Sequence, residues 1–137
     1  MEWLTANSTN IIFFLLIVIL LFKGPIMGRI YGVSTISVHD LNKKLSSPKP
    51  PLLVDVRTNR EYNGGSIKGS QLITLSSLGQ RMDDLKKRYG EREIAVICRS
   101  GNRSISGSIK LKKAGFPNVL NVAGGMIQWT RQGFPTK

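Results

Sequence analysis

The chain has 137 residues, 41% of them hydrophobic, and a single cysteine, which is enough for one domain of ordinary size and hardly for two. One cysteine excludes an intramolecular disulfide and any multi-cysteine metal site, and it fits a reducing compartment. The formal charge is +12, with all 20 Lys and Arg at or beyond Lys23; this points to an anionic partner (substrate, lipid headgroup or nucleic acid) or to a simply solvated basic surface.

The first element is apolar. "IIFFLLIVILLF", residues 11–22, has no break, and Leu4–Phe22 is 19 residues without a charge. As a helix that stretch is about 28 Å long, sufficient to cross a hydrocarbon core of roughly 30 Å, with Trp3 at the outer interface. A cleaved signal peptide is the rival reading, but "MEWLTANSTN" carries no Lys or Arg and no A-x-A-like site follows Phe22,. Lys23, Arg29, Lys43, Lys44 and Lys49 flank the apolar stretch on its C-terminal side. The positive-inside rule therefore puts the N-terminus outside and the remainder in the cytoplasm. Residues 1–23 read as an anchor inserted through residues 4–22. Residues 24–33 read as a linker in which Gly24-Pro25 breaks the helix and Gly28 and Gly32 keep the chain loose. The linker is short enough to hold the basic domain against anionic lipid.

From residue 34 onward, short apolar runs alternate with helix-like segments. "STIS" reads as a strand, and "SVHDLNKKL" as a helix opened by Ser37 and Asp40. "LLVDV", residues 52–56, has the continuous Leu/Val character of a strand buried on both faces. Thr58 and Glu61 form a second capping box before a short helix that "NGG" ends. "QLITL" is the next strand. Leu78, Met82, Leu85 and Tyr89 form one helical stripe. "EIAVI" is a strand, a helix runs from about Arg103 to Ala114, "NVLNV" is the last strand and "MIQWTRQG" the last helix. This alternation predicts a parallel sheet with helices on both faces. Ligands in such sheets bind beyond the carboxyl ends of the strands, where Cys98 follows "EIAVI".

A lone cysteine in an apolar run is often only a small buried hydrophobe. A reactive one must become a thiolate, and hydrolases of the Cys–His type use an imidazole base. The only histidine here is His39, which reads as a surface residue of the first helix of the domain. Activation would have to be electrostatic. "CRSGNRS", residues 98–104, offers the means: a turn into a helix whose first amides lack intrahelical partners, Gly101 to let the loop curl, and Arg99 and Arg103 for charge. The same cradle accepts an anion.

With these residues in view, the chain resembles the single-domain rhodaneses. "LLVDVRTNREYNGGSIKGSQLI" is similar to that family's Asp-Val-Arg…Glu-(Phe/Tyr)…Gly-His-Ile segment, "CRSGNRS" to its active-site loop and "NVLNVAGGMIQW" to its Gly-Gly…Trp tail. The likeness covers about residues 34–135 and leaves the anchor outside. It implies a rhodanese-like α/β fold, a five-stranded parallel sheet with helices on both faces, preceded here by one transmembrane helix. It implies that Cys98 takes sulfane sulfur from a small anionic donor such as thiosulfate, becomes a persulfide, and yields the sulfur to an acceptor thiol, protein or cyanide. Arg99, Ser100, Gly101, Asn102, Arg103 and Ser104 would bind the substrate and the persulfide through backbone N–H groups, with Arg103 and also Arg99 as charges at the mouth. Asp55 and Arg57 would support the loop, Gly124-Gly125 would let backbone approach the site or form a plain turn, and Trp129 would be core. No metal, no organic cofactor and no nucleic acid are implied. In one place the chain departs from the family: "GSIKG" puts Ser66 where the family has His and Lys68 where it has Pro, for which altered packing is the expected consequence.

Two rivals stand beside this reading. A phosphatase or arsenate reductase would need Cys-x5-Arg, whereas Arg103 makes the loop Cys-x4-Arg. A tethered interaction module with little turnover would share the fold, but such modules typically lose the cysteine that this chain keeps.

Overall fold

The computed structural model describes residues 2–137, with side chains from Asn7 onward; the interfacial placement expected for the Trp3 side chain lies outside the described residues. The chain forms α1 (Glu2–Ile30), β1 (Ser34–Ile36), α2 (Val38–Leu45), β2 (Leu52–Asp55), α3 (Asn59–Asn63), β3 (Gln71–Leu72), α4 (Leu78–Tyr89), β4 (Ile94–Ile97), α5 (Asn102–Lys113), β5 (Val119–Val122) and α6 (Gly125–Arg131).

The five strands form one parallel sheet in the order β1-β5-β4-β2-β3. The inner strands β2, β4 and β5 are buried along their whole length, which is why "LLVD" and "IAVI" do not alternate with polar residues. On one face Leu52, Val54, Ile94 and Val96 pack with Leu78 and Leu85 of α4 and Leu111 of α5. On the other, Leu53, Ala95, Ile97 and Val122 pack with Val38 and Leu41 of α2 and with Met126 and Trp129 of α6. Trp129 is buried and stacks at an angle on Phe134. From β2 the chain moves outward to β3; from β4 it moves the other way to β5. The strand order thus reverses between β2 and β4, the place where open α/β sheets bind ligands.

The capping motifs fold as their spacing predicts. Ser37 accepts from the Asp40 amide, and Thr58 and Glu61 cap each other reciprocally. The first helix differs from expectation. Gly24-Pro25 does not end it: α1 runs on to Ile30 with Pro25 inside, so residues 24–30 of the expected loose linker are helical. An interior proline costs about 3 kcal/mol because it removes one backbone donor and crowds the preceding turn. Packing offsets that cost. Gly24 and Gly28, one turn apart, lie against Ile105 of α5, where added Cβ atoms would meet it at 3.6 Å. The helix closes with Tyr31 N–H donating to the Met27 carbonyl and Gly32, at φ 76°, leading into β1. At about 1.5 Å per residue its 29 residues span about 43 Å,, more than a bilayer core requires. Asn7–Ile30 is long and apolar enough to cross a membrane, and its side chains are almost wholly outside the protein core.

Candidate active site

β2 and β4 pair with Asp55 opposite Ile97, so Val56 and Cys98 leave the sheet side by side at its carboxyl rim, and Arg57 follows directly. Cys98 is 1% exposed. The chain then turns through Gly101 at φ 106°, a conformation only glycine adopts without strain. That turn aims the Gly101 N–H at the sulfur, 3.1 Å away. The thiol faces the Ser104 hydroxyl at 3.4 Å, and that hydroxyl donates to the Gly101 carbonyl at 3.0 Å. Ser104, fully buried in the first turn of α5, thereby braces the loop from within. Of the amides expected around the sulfur, that of Gly101 makes the contact among the described residues.

The loop is also held from outside. The first amides of α6 donate to it: Met126 N–H to the Cys98 carbonyl at 2.9 Å and Ile127 N–H to the Arg99 carbonyl at 3.0 Å. Any Cβ at Gly125 would run into both carbonyls. Gly125 is therefore the residue that permits the close approach of α6, and Gly124 at φ 76° makes the turn into it.

Asp55 and Arg57 form a closed unit. The buried Asp55 carboxylate accepts from the Arg57 backbone N–H at 3.0 Å, from Nε at 3.0 Å and from Nη2 at 2.8 Å. Arg57 Nη2 also donates to the Gly65 carbonyl at 2.8 Å and Nη1 to that of Glu61 at 3.2 Å. The guanidinium thus fastens residues 57–65 over the end of β2 and has little left with which to meet a substrate.

Arg103 is engaged as well. Its Nη1 and Nη2 donate to the two oxygens of Glu61 at 2.7 and 2.8 Å. Hydrogen bonding from Arg103, aided by the Thr58 backbone and side chain against the effect of burial, holds the Glu61 carboxyl down at about 2. Arg103 is raised in return, chiefly by Glu61 and to a lesser degree by charge on Cys98 and Asp55. The sequence assigned Glu61 only its role as a helix cap. Its second partner lies 42 residues away, and the only hint was the scarcity of acids, 8 against 20 Lys and Arg. Arg99 stands apart. It is exposed and, with Arg57, Arg60, Glu61 and Ile127, lines a cavity of about 460 Å³ on one side of the loop. Ser100, Gly101 and Asn102 face a different cavity, beneath α1.

Ser66 and Lys68, the departures from the family pattern, lie at the edge of the arginine side. Ser66 is buried and exchanges backbone hydrogen bonds with Lys137, while Lys68 is exposed. The tail is thereby tied across the residues that follow α3. His39 is exposed and touches the Phe134 ring edge-on.

Residues 37–132 match the model of the rhodanese-like domain family, and the chain belongs to that family. Among curated relatives, a sulfurtransferase of Allochromatium vinosum is 34% identical over 103 residues, covering 75% of this chain and 94% of the relative. A protein named thiosulfate sulfurtransferase 16, chloroplastic, from Arabidopsis thaliana is 31% identical over 93 residues, covering 61% and 78%. Among solved structures, a rhodanese-related protein from Thermoplasma volcanium is 31% identical with a TM-score of 0.68 over 76% of this chain and 97% of its own. These likenesses support sulfur transfer as the general chemistry of the family to which this domain belongs.

Proposed function

We propose that this chain is a membrane-anchored sulfurtransferase that carries sulfane sulfur on Cys98. The observation that carries the reading is the Gly101 amide held 3.1 Å from a cysteine at the reversal point of the sheet, in a loop with no histidine. Such a site offers the sulfur and its substrate fixed backbone dipoles in place of an imidazole base. In the first step the Cys98 thiolate attacks the outer sulfur of thiosulfate. A Cys98 S–S bond forms, the bond to the sulfonate sulfur breaks, and sulfite departs with the electron pair. In the second step an acceptor thiolate or cyanide attacks the outer sulfur of the persulfide and Cys98 leaves as thiolate. Loop amides from Arg99 to Ser104 hold the added sulfur and the donor's oxygens. Arg103 meets the anionic donor at the mouth of the loop, and Arg99, with Arg60 beside it in a neighbouring cavity, adds to the positive field that draws it in. Asp55 and Arg57 keep the loop's neighbour in place.

The helix α1 is the anchor in this reading, with the N-terminus outside and the domain in the cytoplasm, because its basic flank lies on the C-terminal side. A thiol-accessible tag beyond Lys137 should stay closed to membrane-impermeant reagents in intact cells; labelling without lysis reverses the orientation. For the chemistry, Cys98→Ser should abolish thiosulfate-to-cyanide transfer with the fold intact, and wild-type protein treated with thiosulfate should gain one sulfur atom on the Cys98 peptide by mass spectrometry. Turnover above background in the purified variant would sink the mechanism. An unmodified Cys98 peptide in a well-folded wild type would favour the interaction-module reading.

A further inference from the structure

The C-terminal end of α1 closes a second cavity, of about 580 Å³, against the edge of the sheet. That volume falls in the roughly 300–1,000 Å³ range of ligand sites. The matched family domain begins at residue 37, so α1 and β1, which supply much of the wall, lie outside it. Phe22, Pro25 and Ile26 of α1 form the outer, apolar side. They continue the exposed apolar surface of the same helix, with Phe22 and Ile26 themselves 55% and 54% exposed.

The inner end is polar. Register places Thr35 beside Asn121 and Asn121 beside Val96. Strand alternation turns Asn121 to the side of Val119 and Val96, the face that α5 covers,. Asn121 is 4% exposed and lines the cavity, and its Oδ1 has no hydrogen-bond partner among the described residues. A buried acceptor left without a donor costs about 1–3 kcal/mol. The site therefore calls for a group that donates. Arg29, one turn beyond Pro25, lines the same cavity, and Asn102 begins α5 beside it, where the helix dipole is positive,. Both call for negative charge. Apolar flank, cation and buried acceptor thus occur together at the depth where a membrane helix leaves the hydrocarbon.

We propose that this cavity seats the headgroup of an anionic, hydroxyl-bearing lipid: a hydroxyl donates to Asn121 Oδ1, the phosphate meets Arg29, and the acyl chains follow Phe22 and Ile26. The proposal rests on the reading of α1 as a membrane anchor. A zwitterionic lipid would set its own cation against Arg29, and an anionic lipid without a headgroup hydroxyl would leave Asn121 unpaired.

Native mass spectrometry of the full chain in detergent tests this with three added lipids: phosphatidylglycerol, phosphatidylmethanol (an anionic phosphodiester with no hydroxyl) and phosphatidylcholine. Phosphatidylglycerol should be retained about tenfold better than phosphatidylcholine. Asn121→Leu should lower phosphatidylglycerol to the level of phosphatidylmethanol and leave phosphatidylmethanol unchanged. Arg29→Gln, at an exposed position that folding tolerates, should bring both to the level of phosphatidylcholine. Equal retention of all three lipids, or an unchanged preference in Asn121→Leu, overturns the proposal. Displacement by millimolar glycerol phosphate would make a soluble phosphate ester the ligand and overturn the lipid assignment. Flotation with pure phosphatidylcholine vesicles separates the two readings: a chain that floats without lipid preference refutes only this proposal, and a chain that does not float refutes the anchor and the proposal together.

Discussion

Two ion pairs of nearly equal length stand next to Cys98 and differ in their surroundings. Arg57–Asp55 is 2.8 Å long with side chains 6% and 0% exposed; Arg103–Glu61 is 2.7 Å long with side chains 37% and 28% exposed. Distance alone would rank them together. Burial separates them, because a charge already out of water cannot recover its hydration when its partner is lost. The first pair is consequently a fixture of the fold, binding residues 57–65 to the end of β2. The second is a clamp that water and a competing anion can open, and it sits on the side chain whose charge the sulfur chemistry would use.

The largest effect should come from the buried pair. Asp55→Ala leaves the Arg57 guanidinium buried without its counter-ion and should cost about 3–5 kcal/mol, read as a lowered urea midpoint by near-ultraviolet circular dichroism in detergent. If it costs no more than breaking the exposed pair, burial is not what distinguishes them.

Arg103→Ala should act on the site more than on the fold. It removes a cation and strands the Glu61 carboxylate at the mouth, where it repels an anionic donor. A fall of about tenfold in kcat/KM for thiosulfate corresponds to about 1.4 kcal/mol, while stability should change by no more than about 1 kcal/mol, as for other partly exposed pairs. Glu61→Gln should move the site in the opposite direction: it frees Arg103 and lowers the KM for thiosulfate. Equal losses from both variants would mean that the clamp positions Arg103 rather than restrains it. Arg99→Ala supplies the control for a charge outside either pair, and a larger loss there than in Arg103→Ala would make Arg99 the principal anion contact.

The smallest effect is one of pH. Glu61 titrates at about 2 when folded against an ordinary value of 4.5, chiefly because Arg103 hydrogen-bonds the ionised form. A depressed carboxyl contributes stability that is present above its unfolded value and lost as pH falls through the folded one. The difference in urea midpoint between wild type and Glu61→Gln should therefore be constant above about pH 5.5 and close between about pH 4.5 and 2. A difference that persists at the acid end would show that the Glu61→Gln substitution disturbs the α3 cap and not the ion pair.

Much of this molecule was written locally. The strands "LLVD" and "IAVI", the stripe from Leu78 to Tyr89, the caps at Ser37 and Thr58 and the apolar length of residues 4–22 each depend on residues within a few positions of one another, so periodicity and capping chemistry are enough to read them. Cys98 was legible for the same reason: the strand before it, Gly101 and the helix after it are contiguous. At Pro25 a local rule met a tertiary contact and lost. The proline does weaken the helix, but Gly24 and Gly28 give Ile105 a surface to lie on, and Ile105 is some 80 residues away.

What sequence alone determined here is the fold class, the position of the cysteine at a strand-to-helix turn, and an N-terminal helix apolar enough to leave water, since each follows from short-range patterns of hydrophobicity and backbone freedom. Only the tertiary structure decided how the charges are shared. It locked Arg57 onto Asp55 and Gly65, gave Arg103 to Glu61, left Arg99 facing a cavity, and brought Asn121 under α1 with no donor to its Oδ1 among the described residues. Hydrogen bonds and ion pairs are settled by proximity in space and by access to water. Neither is encoded in spacing along a chain until the sheet has set which loop ends meet.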